Sequence, residues 1–207
     1  MESDKILLGF VIFTVFIVFI SFIFMYLSFN NFLTIFSGRA ASSTGETNLT
    51  VESSAAVNFT IDSLNWRSGR VNNGFSSAYL DTAAGTVVNG NWTTVTSGLQ
   101  IQNTGNLNVT LNLSVGKSAA SFIGGTGPVY KWNITNHEAN SCLNSSGGTG
   151  SMGHLGIYYN PNTTSALFCP VFQFADTADT LNISINLTVP SDSITGTLND
   201  IVTATVY

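Results

Sequence analysis

The sequence predicts a long apolar N-terminal α-helix joined to an all-β head folded as an antiparallel β-sandwich. Three observations predict it. Of the 31 residues Ile6–Phe36, 24 are apolar. Two later segments alternate strictly between apolar and polar side chains, and no later stretch carries the 3.6-residue period of a helix. Charge divides the chain in the same way. Only 8% of the 207 residues are charged, against about 25% in a typical soluble domain, and nine of the fifteen Phe lie between Phe10 and Phe36. So little charge beside 12% aromatic residues excludes a disordered acidic chain. Six scattered Lys and Arg against a net charge of −5 exclude a basic face that reads nucleic acid.

The helix comes first. From Ile6 to Gly38 no side chain is charged at neutral pH. An apolar run of this length reads as a membrane-spanning helix, because in lipid only a helix satisfies its own backbone. At about 1.5 Å per residue, Ile6–Phe29 reaches roughly 36 Å, enough for a hydrocarbon core of about 30 Å with some tilt. A cleaved secretory signal has a shorter apolar region, although Ala40-Ala41-Ser42 imitates a cleavage site. Thr14, Ser21 and Ser28 lie seven residues apart and form one line of small side chains. Phe10, Phe13, Phe16, Phe19 and Phe22, spaced by three, drift round the surface beside it. Small residues let helices approach closely, and seven is the spacing of a left-handed helix seam. These eight residues are the expected helix-packing set, against the alternative of a lone anchor with Phe facing lipid. Apolar character resumes after Asn30-Asn31 at Phe32, Leu33, Ile35 and Phe36. Past the membrane boundary such surface needs cover, from sister helices or as an interfacial aromatic belt.

Residues 1–38 therefore form the apolar unit, 39–46 a small, polar linker, and 47–207 the β-sandwich domain. Lys5 and Arg39 leave the positive-inside rule nearly mute. The head is expected outside the cell on two grounds. Ten Asn-x-Ser/Thr sequons occur, at Asn48, Asn58, Asn91, Asn108, Asn112, Asn133, Asn144, Asn162, Asn182 and Asn186. The only cysteines, Cys142 and Cys169, suit one disulfide in an oxidising compartment, with two buried thiols as the alternative.

The strands follow. Leu107, Val109, Leu111, Leu113 and Val115 alternate with polar residues, as do Leu181, Ile183, Ile185, Leu187 and Val189. Each reads as a strand with one buried and one wet face, which places the sequon pairs Asn108/Asn112 and Asn182/Asn186 on the wet side. Weaker strand signals fall at Asn48–Ser53, Val57–Asp62, Trp92–Thr96, Leu99–Gln102, Val129–Thr135, Leu167–Phe174 and Ile201–Tyr207. The Gly-rich stretches Gly124–Gly127 and Gly147–Gly156 read as exposed connections.

No catalytic constellation is visible, and the chain reads as a non-enzyme. His137, His154, Glu138 and the two cysteines match no zinc spacing, and Asp176 and Asp179 lack a calcium loop and read as solvated turn residues. No metal and no cofactor is expected.

An apolar N-terminal helix feeding an Asn/Thr-rich β-sandwich resembles archaeal type IV pilin-like proteins, including archaellins. The family's basic residue and Gly before the leader cleavage point have counterparts in Lys5 and Gly9, with the charge displaced. Leu99–Val115 and Leu181–Tyr207 also resemble Ig-like repeats of archaeal surface proteins. The resemblance implies an Ig-like head and a structural subunit of a surface filament. Its helices bundle into a core, after passing through the membrane, and its glycosylated heads form the outer wall. The partners it implies are copies of the same chain, with surface ligands or other cells beyond them. The alternative is a single-pass membrane protein with one Ig-like domain for adhesion or envelope contacts.

Overall fold

The computed structural model describes residues 2–35, 46–143 and 155–207. They fall into two compact units, Met1–Thr50 and Val51–Tyr207, each considered by itself.

The first unit contains α1, Glu2–Ile35, an unbroken helix of 34 residues. Its Val, Ile and Phe are middling helix formers in water and good strand formers. Length decides in favour of the helix: a single apolar stretch of this size pairs its backbone only with itself. Leu8–Ser28 is long and apolar enough to cross a membrane. Apolar side chains ring the helix with no polar face, which sets it apart from a helix lying on the surface of a globular protein.

The second unit is built almost wholly of antiparallel strands. In chain order they are β1 (Val57–Ile61), β2 (Ser77–Asp81), β3 (Thr86–Val88), β4 (Leu99–Asn103) and β5 (Val109–Val115). One turn of helix follows, α2 (Ala119–Phe122), then β6 (Val129–Asn136), β7 (Cys142–Leu143), β8 (Tyr158–Tyr159), β9 (Ala166–Phe172), β10 (Thr180–Pro190) and β11 (Val202–Val206). The long β10 is the axis of the first sheet. Along one side it pairs with β4 at Thr180–Ile183 and then with β2 at Asn186–Pro190; along the other it pairs with β6. β1 flanks β4, β3 flanks β2 and β8 flanks β6. The second sheet runs β11-β5-β9-β7.

Period-two alternation turns one face of each sheet inward. Leu111 and Leu113 of β5 meet Ile101 of β4, Trp132 and Ile134 of β6, Phe172 of β9, and Leu181 and Ile183 of β10 in one buried cluster drawn from both sheets. The head is therefore sandwich-like, with a single shared core.

Several expectations need correction. Asn48–Ser53 is not a strand. Beyond Asn103 the chain turns through 104–106, so no ladder remains for it. Instead Ser54 and Ala56 carbonyls accept from the Asn106 and Thr104 N–H, and the Asn106 amide clasps Ser54 N and Glu52 O. Trp92–Thr96 is not a strand either, because the Trp92 ring is wedged between two backbones. A Cβ on Gly69 would lie 2.3 Å from that ring, and one on Gly90 2.7 Å. Gly124 is buried against Ile194 at φ 70 rather than exposed. Most of the second Gly-rich stretch lies outside the described residues. The short α2, capped by Ser118 accepting from Ser121 N, had no periodic signal because it is a single turn.

Candidate functional site

The feature that asks for a partner is α1. Every described side chain between Phe10 and Ser28 is exposed, with Phe10, Phe13, Phe16, Phe19 and Phe22 between 60% and 69% accessible. Two hydroxyls on this rod, those of Thr14 and Ser21, are already satisfied. Thr14 Oγ1 donates to Val11 O at 2.9 Å and Phe10 O at 3.1 Å, and Ser21 Oγ donates to Ile17 O at 2.9 Å. Such back-bonded hydroxyls cost little when water is removed, so Thr14 and Ser21 are polar in composition and apolar in effect. Thr14 lies in a shallow open groove with Val15, Val18, Phe19 and Phe22. The small side chain and two of the rings thus come together as a hole with a rim, the shape that receives a side chain from a neighbouring helix. Ser28 is exposed on the same side of the helix, seven residues beyond Ser21.

No protein-family model, no curated protein and no solved structure matches the chain. Its chemistry has to be read from its own residues.

Cys142 and Cys169 form the expected disulfide, with Cα atoms 5.7 Å apart and both residues fully buried. The bond ties β7 to β9 across the second sheet and closes the connection that contains residues 144–154. A stable disulfide belongs to an oxidising compartment.

The sequons divide by position. Asn48, Asn58, Asn91, Asn108 and Asn162 are exposed, and Asn112, Asn133 and Asn182 are half-buried. Asn144 lies outside the described residues. Asn186 is the correction, at 6% accessibility with Ser184 beside it at 4%. The wet face expected on β10 is closed, because Tyr158 of β8 reaches across the sheet to Asp81 of β2.

Asp81 is the centre of a polar clasp that sequence reading missed. Its carboxylate accepts from the Ala83 and Ala84 N–H at 2.8 and 3.1 Å, from the Tyr79 hydroxyl at 2.8 Å, from Asn186 Nδ2 at 3.0 Å and from the Tyr158 hydroxyl at 2.9 Å. Asn186 Nδ2 also lies against the Tyr79 oxygen. The available sequence signal was Asp81-Thr82-Ala83-Ala84-Gly85 before Val87-Val88, an Asx turn ending in a Gly at φ 61. Burial alone raises the Asp81 pKa, but the hydrogen bonds from Tyr79, Ala84 N–H, Asn186 and Tyr158 outweigh it and hold the carboxyl below its ordinary value. Burial first, and then Asp81 itself, raise both phenols, so Tyr79 and Tyr158 stay protonated and donate. With five groups donating to it, the carboxylate has no room for substrate. It is a structural bolt joining β2, β8, β10 and the 82–85 turn.

Asp179 is likewise not a solvated turn residue. At 4% accessibility it accepts from Gln102 Nε2 and from the Thr180 hydroxyl. Asp176 is exposed, as expected. Among the described residues no three of His, Cys, Asp and Glu gather round one point; His154 lies outside them.

The clasp sets a pH dependence. Because the folded pKa of Asp81 is depressed, its contribution is present above the unfolded value of about 3.9 and is lost as pH falls through the folded value. Asp81→Ala should cost about 2–4 kcal/mol at pH 7 and flatten the acid limb of stability. Urea midpoints at pH 7 and pH 3 check this. A variant whose acid limb parallels the wild type would place the acid sensitivity elsewhere.

Proposed function

We propose that the chain is a structural subunit of an extracellular surface filament of the type IV pilus kind. Residues 6–36 assemble by helix packing, and the sandwich heads, with glycans on their exposed sequons, form the outer surface. The observation that carries this reading is the unbroken course of α1 through Asn30-Asn31 to Ile35. Thirty-four residues make a rod of about 50 Å. A membrane anchor needs about 30 Å, and a helix serving only as an anchor has no reason to continue past two asparagines. An apolar helix longer than a bilayer is accounted for if its outer turns are covered by the same helices that cover its inner ones. The Thr14 groove, the seven-residue spacing and the back-bonded hydroxyls all suit such contacts.

The exterior placement draws on the disulfide and on a head whose solubility rests on Asn, Ser and Thr rather than charge. Before assembly the helix resides in the membrane, and the partner is another copy of the chain. Mechanical shearing of cells, followed by electron microscopy and N-terminal sequencing of the released material, tests the reading. Filaments built from this chain are expected. Retention of the whole chain in the membrane fraction, with no filament shed, would favour a single-pass anchored surface protein instead.

A further inference from the structure

The second sheet has one long open edge. β11 pairs only with β5, in register along all five of its residues. Tyr207 exchanges both backbone hydrogen bonds with Thr110. Alternation therefore turns the N–H and C=O of Thr203 and Thr205 toward β5, and those of Val202, Ala204 and Val206 away from it. These outward groups have no partner among the described residues. Natural sheets blunt such edges with a charge, a proline, a bulge or extreme shortness. β11 has none of these. The other edges among the described residues do: β3 has three residues, β7 and β8 have two each, and β1 carries a bulge between Phe59 and Ile61.

The core is thinly covered on the same side. β1 lies beside β11 there. Val57 and Phe59 of β1, with Val202, Ala204 and Val206 of β11, pack on the core while staying partly exposed. Ile201 and Tyr207, which flank β11, are 68% and 72% accessible.

A segment with the complementary deficit precedes β1. Residues 48–53 alternate, with Leu49 and Val51 set between Asn48, Thr50 and Glu52, but form no strand. Leu49 is 85% accessible, the highest value among the exposed large apolar side chains of the described residues, and Val51 is 73% accessible. The backbone from Asn48 to Val51 has no hydrogen-bond partner among the described residues. Glu52 O, by contrast, accepts from the Asn106 amide, which fixes that end of the segment.

We propose that residues 48–53 of one copy add a strand to the free edge of β11 in the next. The inference rests on the filament reading, which supplies a neighbouring copy at high local concentration. The added ladder satisfies the outward groups of Val202, Ala204 and Val206, and main-chain pairing of this kind is an established mode of recognition at sheet edges. Leu49 and Val51 turn onto the thinly covered core beside Val57 and Phe59, where their exposed area is removed from water. Asn48, Thr50 and Glu52 take the wet face, so the Asn48 sequon stays accessible. Donor and acceptor differ, so the contact is heterologous and propagates into an open polymer instead of closing as a dimer.

The test uses filaments of the full-length chain. Val51→Cys is combined in turn with Val202→Cys, Ala204→Cys or Val206→Cys, oxidised, and run on a non-reducing gel. At least one combination should give a ladder of disulfide-linked multimers, because the three acceptor positions share the face that Val51 must meet. Leu49→Asp/Val51→Asp should raise the subunit concentration left free beside filaments about tenfold. Both side chains are exposed in the lone subunit, so the melting of detergent-dispersed monomers should not change. A crosslink confined within one chain overturns the exchange, since the segment then covers its own edge. Failure of all three combinations to link, or normal assembly of the Asp variant, also overturns it and leaves the helix-packed filament standing. A wild-type chain that never polymerises overturns the filament reading and the exchange together.

Discussion

Replacing Ser21 by Trp should stop filament assembly while leaving the head folded. Ser21 is exposed on α1, and its hydroxyl is returned to Ile17 O, so the position presents a small, satisfied surface. Close approach of helix backbones depends on such residues. An indole in the seam would force neighbouring helices apart at a cost of about 1–3 kcal/mol per contact, repeated at every subunit. The head is a separate compact unit with its own core, and it should melt as before. Ser21→Ala keeps the small volume and should assemble normally. Electron microscopy and sedimentation of the two variants decide the matter; normal filaments from Ser21→Trp would show that the Thr14/Ser21/Ser28 line is not the packing surface.

Removing the disulfide should have the largest effect on the head itself. A crosslink between residues 27 apart stabilises by about 3.5 kcal/mol in the chain-entropy model. The local structure agrees with a large effect. β7 is only Cys142–Leu143, paired to Phe172 and Val171, too short to hold the edge of the second sheet without its covalent tie. Cys142→Ala/Cys169→Ala, or the reduced wild type, should unfold at a markedly lower urea concentration than the oxidised chain. Coincident unfolding curves would contradict the account.

Sequence reading found what period and length encode. β5 and β10 alternate so regularly that their inward residues could be named in advance, and α1 was evident from its apolar run. Ser77-Ala78-Tyr79-Leu80-Asp81 was not legible. Its neighbouring residues share no periodic pattern, and it becomes a strand because β10 offers a free edge at Asn186–Pro190. The same limit applies to Asn186. Period two says which residues share a face, but whether that face is wet depends on Tyr79, Asp81 and Tyr158, which come from distant parts of the chain. The line of Thr14, Ser21 and Ser28 on α1 was legible because these residues are local in sequence.

The central claim is that α1 is a filament core. Helical reconstruction of shed filaments by electron cryo-microscopy tests it most directly. The account predicts α1 helices bundled along the filament axis, helical beyond Asn30-Asn31, with Thr14, Ser21 and Ser28 facing sister helices and the heads outside. Filaments whose axis is built from the heads, with α1 absent or left in lipid, would contradict it.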